Sequence, residues 1–215
     1  MMRLSVLASG GGSNLQAILD GCASGTIPAE VALVVCNIPG AGTVDRARKA
    51  GVPCAILPHK GVASREAYDE QLVQELRKAR VELVCLAGFM RLVTPVLLRA
   101  FENRILNIHP ALLPAYPGMH GVRQAILGGA RIAGCTVHLV DEGTDSGPIV
   151  MQAAVPVLDN DTEETLAARI LTQEHRLYPR AISLFAEGRV SIEGRRVRID
   201  APNDAGRALV SPGPL

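Results

Sequence analysis

The chain has 215 residues, 48% hydrophobic and 20% charged, which is the balance of a folded globular protein long enough for one well-buried core. Its 22 basic and 21 acidic residues leave a net charge of +1, so nothing marks a polyanion such as DNA or RNA as the partner, and a small-molecule site is the better expectation. The five dispersed cysteines (Cys22, Cys36, Cys54, Cys85, Cys135) form no C-x-x-C pair, which argues against a disulfide framework or a zinc knuckle, and the absence of Trp argues against a stacking platform for single-stranded nucleic acid.

Met1-Met2-Arg3 leads directly into a strand-like run, without a signal-peptide pattern, and no apolar run reaches membrane length, so a cytoplasmic protein is expected. Leu4 to Ala8 reads as a first strand, followed by the loop Ser9-Gly10-Gly11-Gly12-Ser13-Asn14 and a helix with Leu15, Ile18, Leu19 and Cys22 at helical spacing. Glycines allow close backbone approach to a ligand, and exposed N–H groups at a helix start bind anions. The dinucleotide fingerprint fails, because Leu15 stands where its third glycine belongs and Asn37-Ile38-Pro39-Gly40 replaces the acidic residue expected after the second strand, Val31 to Cys36. A terminal phosphate on Gly12, Ser13 and Asn14 is favoured over NAD or ATP; the plainer alternative is an ordinary turn in which Ser13 or Asn14 caps the helix.

Thr43 to Ala50 reads as a short helix closed by Gly51, and Cys54 to Leu57 as a third strand. Ser64 is a candidate cap for a helix that buries Tyr68, Leu72, Val73 and Leu76 and ends near Ala79. Arg65 then lies in the first turn, the unfavourable end of the helix dipole for a cation, so it is either an anion partner or an ordinary surface arginine. Leu83 to Ala87 is a fourth strand; after it, Gly88 to Leu92 offers a Phe-Met-Leu cluster suited to a pocket wall or to local core packing, and Thr94-Pro95 opens another helix.

Ile105-Leu106-Asn107-Ile108-His109-Pro110 reads as a buried strand that delivers two polar side chains at its C-terminal end, where ligands collect in open α/β sheets. Asn107 and His109, at i and i+2, share one face. The pair suits catalysis, and it equally suits a strand end in which Asn107 caps a loop and His109 satisfies a buried carbonyl. A proline-stiffened loop follows to His120, then a helix to Leu127 closed by Gly128-Gly129, and an alternating strand from Gly134 to Val140.

The acidic turn Asp141 to Pro148 lacks calcium-loop spacing, and a metal is rejected there; a carboxylate on it could reach His109, orient it and favour its charged form. One more strand, Ile149 to Pro156, precedes a long helix that opens on a capping box of Asp161 with Glu164, carries Pro179 as a kink and runs through Leu184. A hairpin of Val190 to Ile192 and Val197 to Ile199 follows. One domain over residues 1–200 is expected, with a poorly ordered tail over 201–215.

Taken together, Gly12-Ser13-Asn14, Ala87-Gly88-Phe89-Met90-Arg91, Asn107-Ile108-His109-Pro110 with Leu112-Leu113-Pro114, and Asp145-Ser146-Gly147-Pro148 resemble the folate-dependent formyltransferases. Thr172-Gln173-Glu174-His175, Tyr178-Pro179 and Ser64 to Asp69 extend the resemblance over Arg3 to Ile199, and the ordered set is more specific than any one motif. It implies an α/β, three-layer Rossmann-like fold with a mostly parallel central sheet and helices on both faces. The implied reaction moves the formyl group of 10-formyltetrahydrofolate, a co-substrate, to the amine of 5-phosphoribosylglycinamide in purine synthesis, without a metal.

The same resemblance puts Gly12, Ser13 and Asn14 at the nucleotide phosphate, Glu174 and Asn107 toward that substrate, and Asn107, His109 and Asp145 in catalysis. Arg65, Met90, Arg91, Leu92, Val93 and the segment Val140, Asp141, Glu142, Gly143, Thr144 and Asp145 would hold the folate. Asn107 and a charged His109 suit an oxyanion, and Asp145 would keep His109 charged. Relatives that formylate methionyl-tRNA or hydrolyse formyl folate carry additional domains for which this chain is expected to have no room. The rival from another class is a nucleotide-binding module without catalysis. The oligomeric state is not legible.

Overall fold

The computed structural model describes residues 1–200 and Ser211, so the tail expected over 201–215 lies outside the described residues except for that serine. Five strands alternate with helices: β1 (Met2–Ala8), α1 (Ser13–Ala23), β2 (Ala29–Cys36), α2 (Gly42–Lys49), β3 (Cys54–Ile56), α3 (Arg65–Lys78), β4 (Leu83–Leu86), α4 (Pro95–Ala100) and β5 (Ile105–His109). They are followed by α5 (Gly121–Leu127), β6 (Ile132–Leu139), β7 (Ile149–Pro156), α6 (Glu163–Ala186) and a separate hairpin of β8 (Val190–Glu193) and β9 (Arg196–Ile199).

The central sheet has the order β3-β2-β1-β4-β5-β6-β7. Pairing is parallel from β3 through β5 and antiparallel for β5 with β6 and β6 with β7. The mostly parallel α/β sheet is therefore as expected. Alternation along the strands splits the core between two faces. Leu4, Val6, Cys85, Leu106 and Ile108 pack under α1, α5 and α6, whereas Leu7, Val84, Leu86 and Ile105 pack under α3 and α4. Asn107 and His109 share the face of Ile105, on the side opposite α6.

Local chemistry sets the helix boundaries. Ser64 Oγ accepts from the Ala67 N–H to open α3, and Thr94 caps α4 ahead of Pro95. The box expected from Asp161 and Glu164 is instead built one residue later, where Thr162 and Thr165 bond reciprocally. Asp161 is not free for it, because its two carboxylate oxygens accept from the Arg169 guanidinium at 2.7 and 2.8 Å. α6 runs without interruption across Pro179. Among the described residues, no helix is long and apolar enough to cross a membrane.

Candidate active site

Residues from four neighbouring segments converge over β5 and β6. The antiparallel register sets Asn107 directly opposite His138, so both side chains leave the same face of the sheet. Asn107 Nδ2 lies 3.1 Å from His138 Nε2 and 3.4 Å from Asp145 Oδ1, and His109 Nδ1 lies 3.3 Å from Asp145 Oδ2. His109 and His138 are 4% and 1% exposed, while the Asp145 side chain retains a narrow opening. Asp145 reaches inward because its backbone takes a left-handed turn at φ 51°, and the Gly118 N–H donates to its Oδ2 at 2.7 Å. The acidic turn and the proline-stiffened loop are thus tied together above Asn107 and His109.

Burial pushes the Asp145 carboxyl up, but hydrogen bonds from His138 and Gly118 and the charges of His109 and His138 outweigh it and hold the carboxyl below the ordinary range. Asp145 is therefore a carboxylate at neutral pH. His109 Nε2 faces the Tyr116 carbonyl at 2.9 Å, and a carbonyl only accepts, so that nitrogen carries a proton. Both nitrogens of the His109 ring consequently face oxygens. The N–H expected to meet an oxyanion is engaged by Tyr116 in this arrangement.

The glycine loop sits at the end of β1. Gly12 is left-handed at φ 74° and precedes α1 without any side-chain cap, so neither Ser13 nor Asn14 plays the capping role of the plainer alternative. The first bond of the helix runs from the Gln16 N–H to the Gly12 carbonyl, which leaves the N–H groups of Ser13, Asn14 and Leu15 without intrahelical acceptors. The Asn14 side chain instead donates to Glu174 Oε2 at 2.7 Å, where α1 meets α6. Glu174 is 7% exposed. Burial raises its carboxyl above the ordinary value, against the lowering effect of Asn14. Glu174 is thus joined to the glycine loop, on the α6 side of the sheet, with Asn107 on the opposite face.

The expected folate residues separate into two groups. Met90 and Leu92 expose large apolar side chains, Arg91 stacks its guanidinium 4.0 Å from the Tyr68 ring centroid, and Val93 packs into the core under α3 and α4. The Met90 N–H donates to Ser9 Oγ, which fastens this segment to the end of β1. In the second group, Val140 N–H bonds the Ile105 carbonyl, Asp141 Oδ1 accepts from the Gly143 N–H and the Ser146 hydroxyl, and Glu142, Gly143 and Thr144 are exposed. Arg65 is exposed at the start of α3 and has no bonded partner among the described residues.

His138 escaped the reading of the sequence. The available signal was an ionisable residue inside an otherwise apolar strand, but its significance depends on the register that opposes it to Asn107. The carbonyl of Tyr116 and the N–H of Gly118 had no side-chain signal at all.

An amide, an imidazole and a carboxylate in one buried cluster at the end of β5, and a glycine loop at a helix start, make an enzyme-like site on an α/β sheet covered by helices on both faces. The chain belongs to the formyl transferase family, whose model matches residues 2–182. It is 44% identical over 199 residues to phosphoribosylglycinamide formyltransferase of Escherichia coli (strain K12), covering 93% of this chain and 94% of that protein. It is 48% identical over 188 residues to the trifunctional purine biosynthetic protein adenosine-3 of Drosophila melanogaster, where the match covers 86% of this chain and only 14% of that protein. The chain thus spans a small fraction of the trifunctional relatives it matches. Glycinamide ribonucleotide transformylase 1 from Symbiobacterium toebii superposes with a TM-score of 0.92 at 57% identity, covering 93% of this chain and 94% of that one.

Proposed function

We propose that this protein transfers the formyl group of 10-formyltetrahydrofolate to the amine of 5-phosphoribosylglycinamide, giving formylglycinamide ribonucleotide and tetrahydrofolate in de novo purine biosynthesis. The observation that carries the reading is the buried convergence of Asn107, His109 and an ionised Asp145, in a sheet whose first strand ends in an uncapped helix start suited to a phosphate. Near-complete alignment with phosphoribosylglycinamide formyltransferase of Escherichia coli supports formyl transfer to the same acceptor.

The amine nitrogen attacks the formyl carbon, a C–N bond forms, and negative charge gathers on the formyl oxygen. Asn107 donates to that oxygen; its 3.4 Å bond to Asp145 is near the limit of a hydrogen bond and is the one most easily exchanged for substrate. His109, with Asp145 at 3.3 Å, stabilises the same charge, and its Nε2–H becomes available when the Tyr116 carbonyl moves off. The adduct then collapses with cleavage of the bond to folate N10. A proton passes from the attacking nitrogen to N10, and Asp145 and His109 are the groups placed to carry it. This charge handling uses side chains alone and assigns no step to a metal.

Gly12, Ser13 and Asn14 bind the nucleotide phosphate, and Glu174 accepts from the ribosyl part of the same substrate. Arg65, Met90 to Val93 and Val140 to Asp145 hold the folate, the exposed Met90 and Leu92 serving as its apolar wall. Residues 1–200 act as one catalytic domain in the cytoplasm. The test is a spectroscopic assay of folate release: purified protein should convert formyl folate to tetrahydrofolate only when phosphoribosylglycinamide is present. Binding of the nucleotide without turnover would instead establish a binding module.

A further inference from the structure

The glycine loop does not hold its shape alone. The carbonyl of Gly10 accepts from both the N–H and the hydroxyl of Thr43, at 3.1 and 2.8 Å, and the carbonyl of Gly11 accepts from Arg46 Nε at 2.8 Å. Both donors stand on α2. A trans peptide is planar, so the N–H that follows each of these carbonyls points the opposite way. Turning the Gly10 and Gly11 carbonyls toward α2 therefore turns the Gly11 and Gly12 N–H groups away from it.

The contact is close. A Cβ on Gly12 would lie 2.9 Å from Thr43 Oγ1 and 3.3 Å from Arg46 Cδ, and one on Gly42 would lie 3.1 Å from the Gly11 carbonyl oxygen. Arg46 is half-buried, is tied through Nη1 to Gln16 of α1 at 3.1 Å, and keeps its remaining N–H groups without partners among the described residues. It lines a cleft of about 410 Å³ with Ser13, Gln16, Ala17, Asp20 and His175.

We propose that Arg46, assisted by Thr43, is a positioning residue for phosphate specificity: it holds the carbonyls of the glycine loop on the α2 side so that the loop N–H groups meet the nucleotide phosphate. This rests on the proposed nucleotide substrate. Thr43 contributes through Gly10, and Arg46 through Gly11.

The test is steady-state kinetics of Arg46→Met, Arg46→Lys and Thr43→Val with both substrates, together with inhibition by ribosylglycinamide lacking the phosphate. Arg46→Met should raise KM for phosphoribosylglycinamide about 10- to 100-fold, the range for losing a bond to a charged group. kcat and KM for formyl folate should stay within about twofold, and the preference for the phosphorylated over the unphosphorylated nucleoside should shrink. Arg46→Lys should recover part of that preference, and Thr43→Val should lose less than Arg46→Met.

An unchanged preference in Arg46→Met overturns the inference. So does a rise of both KM values together with a lower melting temperature that Arg46→Lys does not relieve. Failure of the wild type to turn over phosphoribosylglycinamide refutes the proposed function itself, and is read before any variant.

Discussion

Asp145→Asn isolates charge from shape. The substitution keeps the size of the side chain, its carbonyl oxygen can still accept from the Gly118 N–H, and asparagine tolerates the left-handed backbone at φ 51°. What disappears is the negative charge 3.3 Å from His109 Nδ1 and 3.5 Å from His138 Nε2. At 3.3 Å and an effective dielectric of 20, a unit pair interacts by roughly 5 kcal/mol before solvent is counted. Losing the support of one preorganised oxyanion donor costs roughly 3 kcal/mol of that in the transition state. That corresponds to a loss of about two orders of magnitude in kcat.

The assay follows tetrahydrofolate release at saturating levels of both substrates, and calorimetry of the same sample checks the fold. The expected result is a kcat about 100-fold lower, with KM values changed by less than about threefold. Turnover within about fivefold of wild type would refute the reasoning, because the carboxylate would then not be supporting charge on His109.

Asn107→Ala and His109→Ala should each lower kcat by about two to three orders of magnitude with smaller effects on KM, measured in the same assay; near-normal turnover in either removes it from the mechanism. The depressed Asp145 carboxyl also predicts an acid limb of stability. A group whose folded pKa lies below its unfolded value contributes in full above the unfolded value, about 4, and loses that contribution as pH falls through the lower folded value. Melting temperatures of the wild type should therefore fall more steeply than those of Asp145→Asn below about pH 4. For Glu174 the sign reverses: its folded carboxyl is raised, so ionising it as pH increases costs stability. Glu174→Gln, whose amide oxygen still accepts from Asn14, should be at least as stable as wild type at pH 8 while showing a higher KM for the nucleotide; a clear loss of melting temperature would contradict the buried-charge reading. Gly134→Ala should fail to fold or melt far below wild type, since its Cβ would overlap the Ala153 carbonyl oxygen of the paired strand β7 and crowd Leu112.

Much of the framework was legible because local chemistry imposed it. Ser64 three residues before Ala67, Thr94 before Pro95, and the apolar runs of β1, β2, β4 and β5 announced helix starts and buried strands through caps and burial alone. The start of α6 was misplaced for an equally local reason, seen only with the helix built. Arg169 reaches back two turns to take Asp161, and Thr162 and Thr165 then share the cap.

By itself the sequence determined the alternation of strands and helices, the i, i+2 placement of Asn107 and His109 on one face, and the glycine loop at a helix start. These depend on backbone periodicity and on residues close together along the chain. The tertiary structure alone decided that β6 runs antiparallel to β5, which places His138 against Asn107, and that the 110–120 loop engages Asp145 through Gly118 and His109 through Tyr116. It also decided that α2 grips the carbonyls of the glycine loop. Those contacts use backbone groups or strand register, and the pairing of distant backbone leaves no mark on which side chains are present.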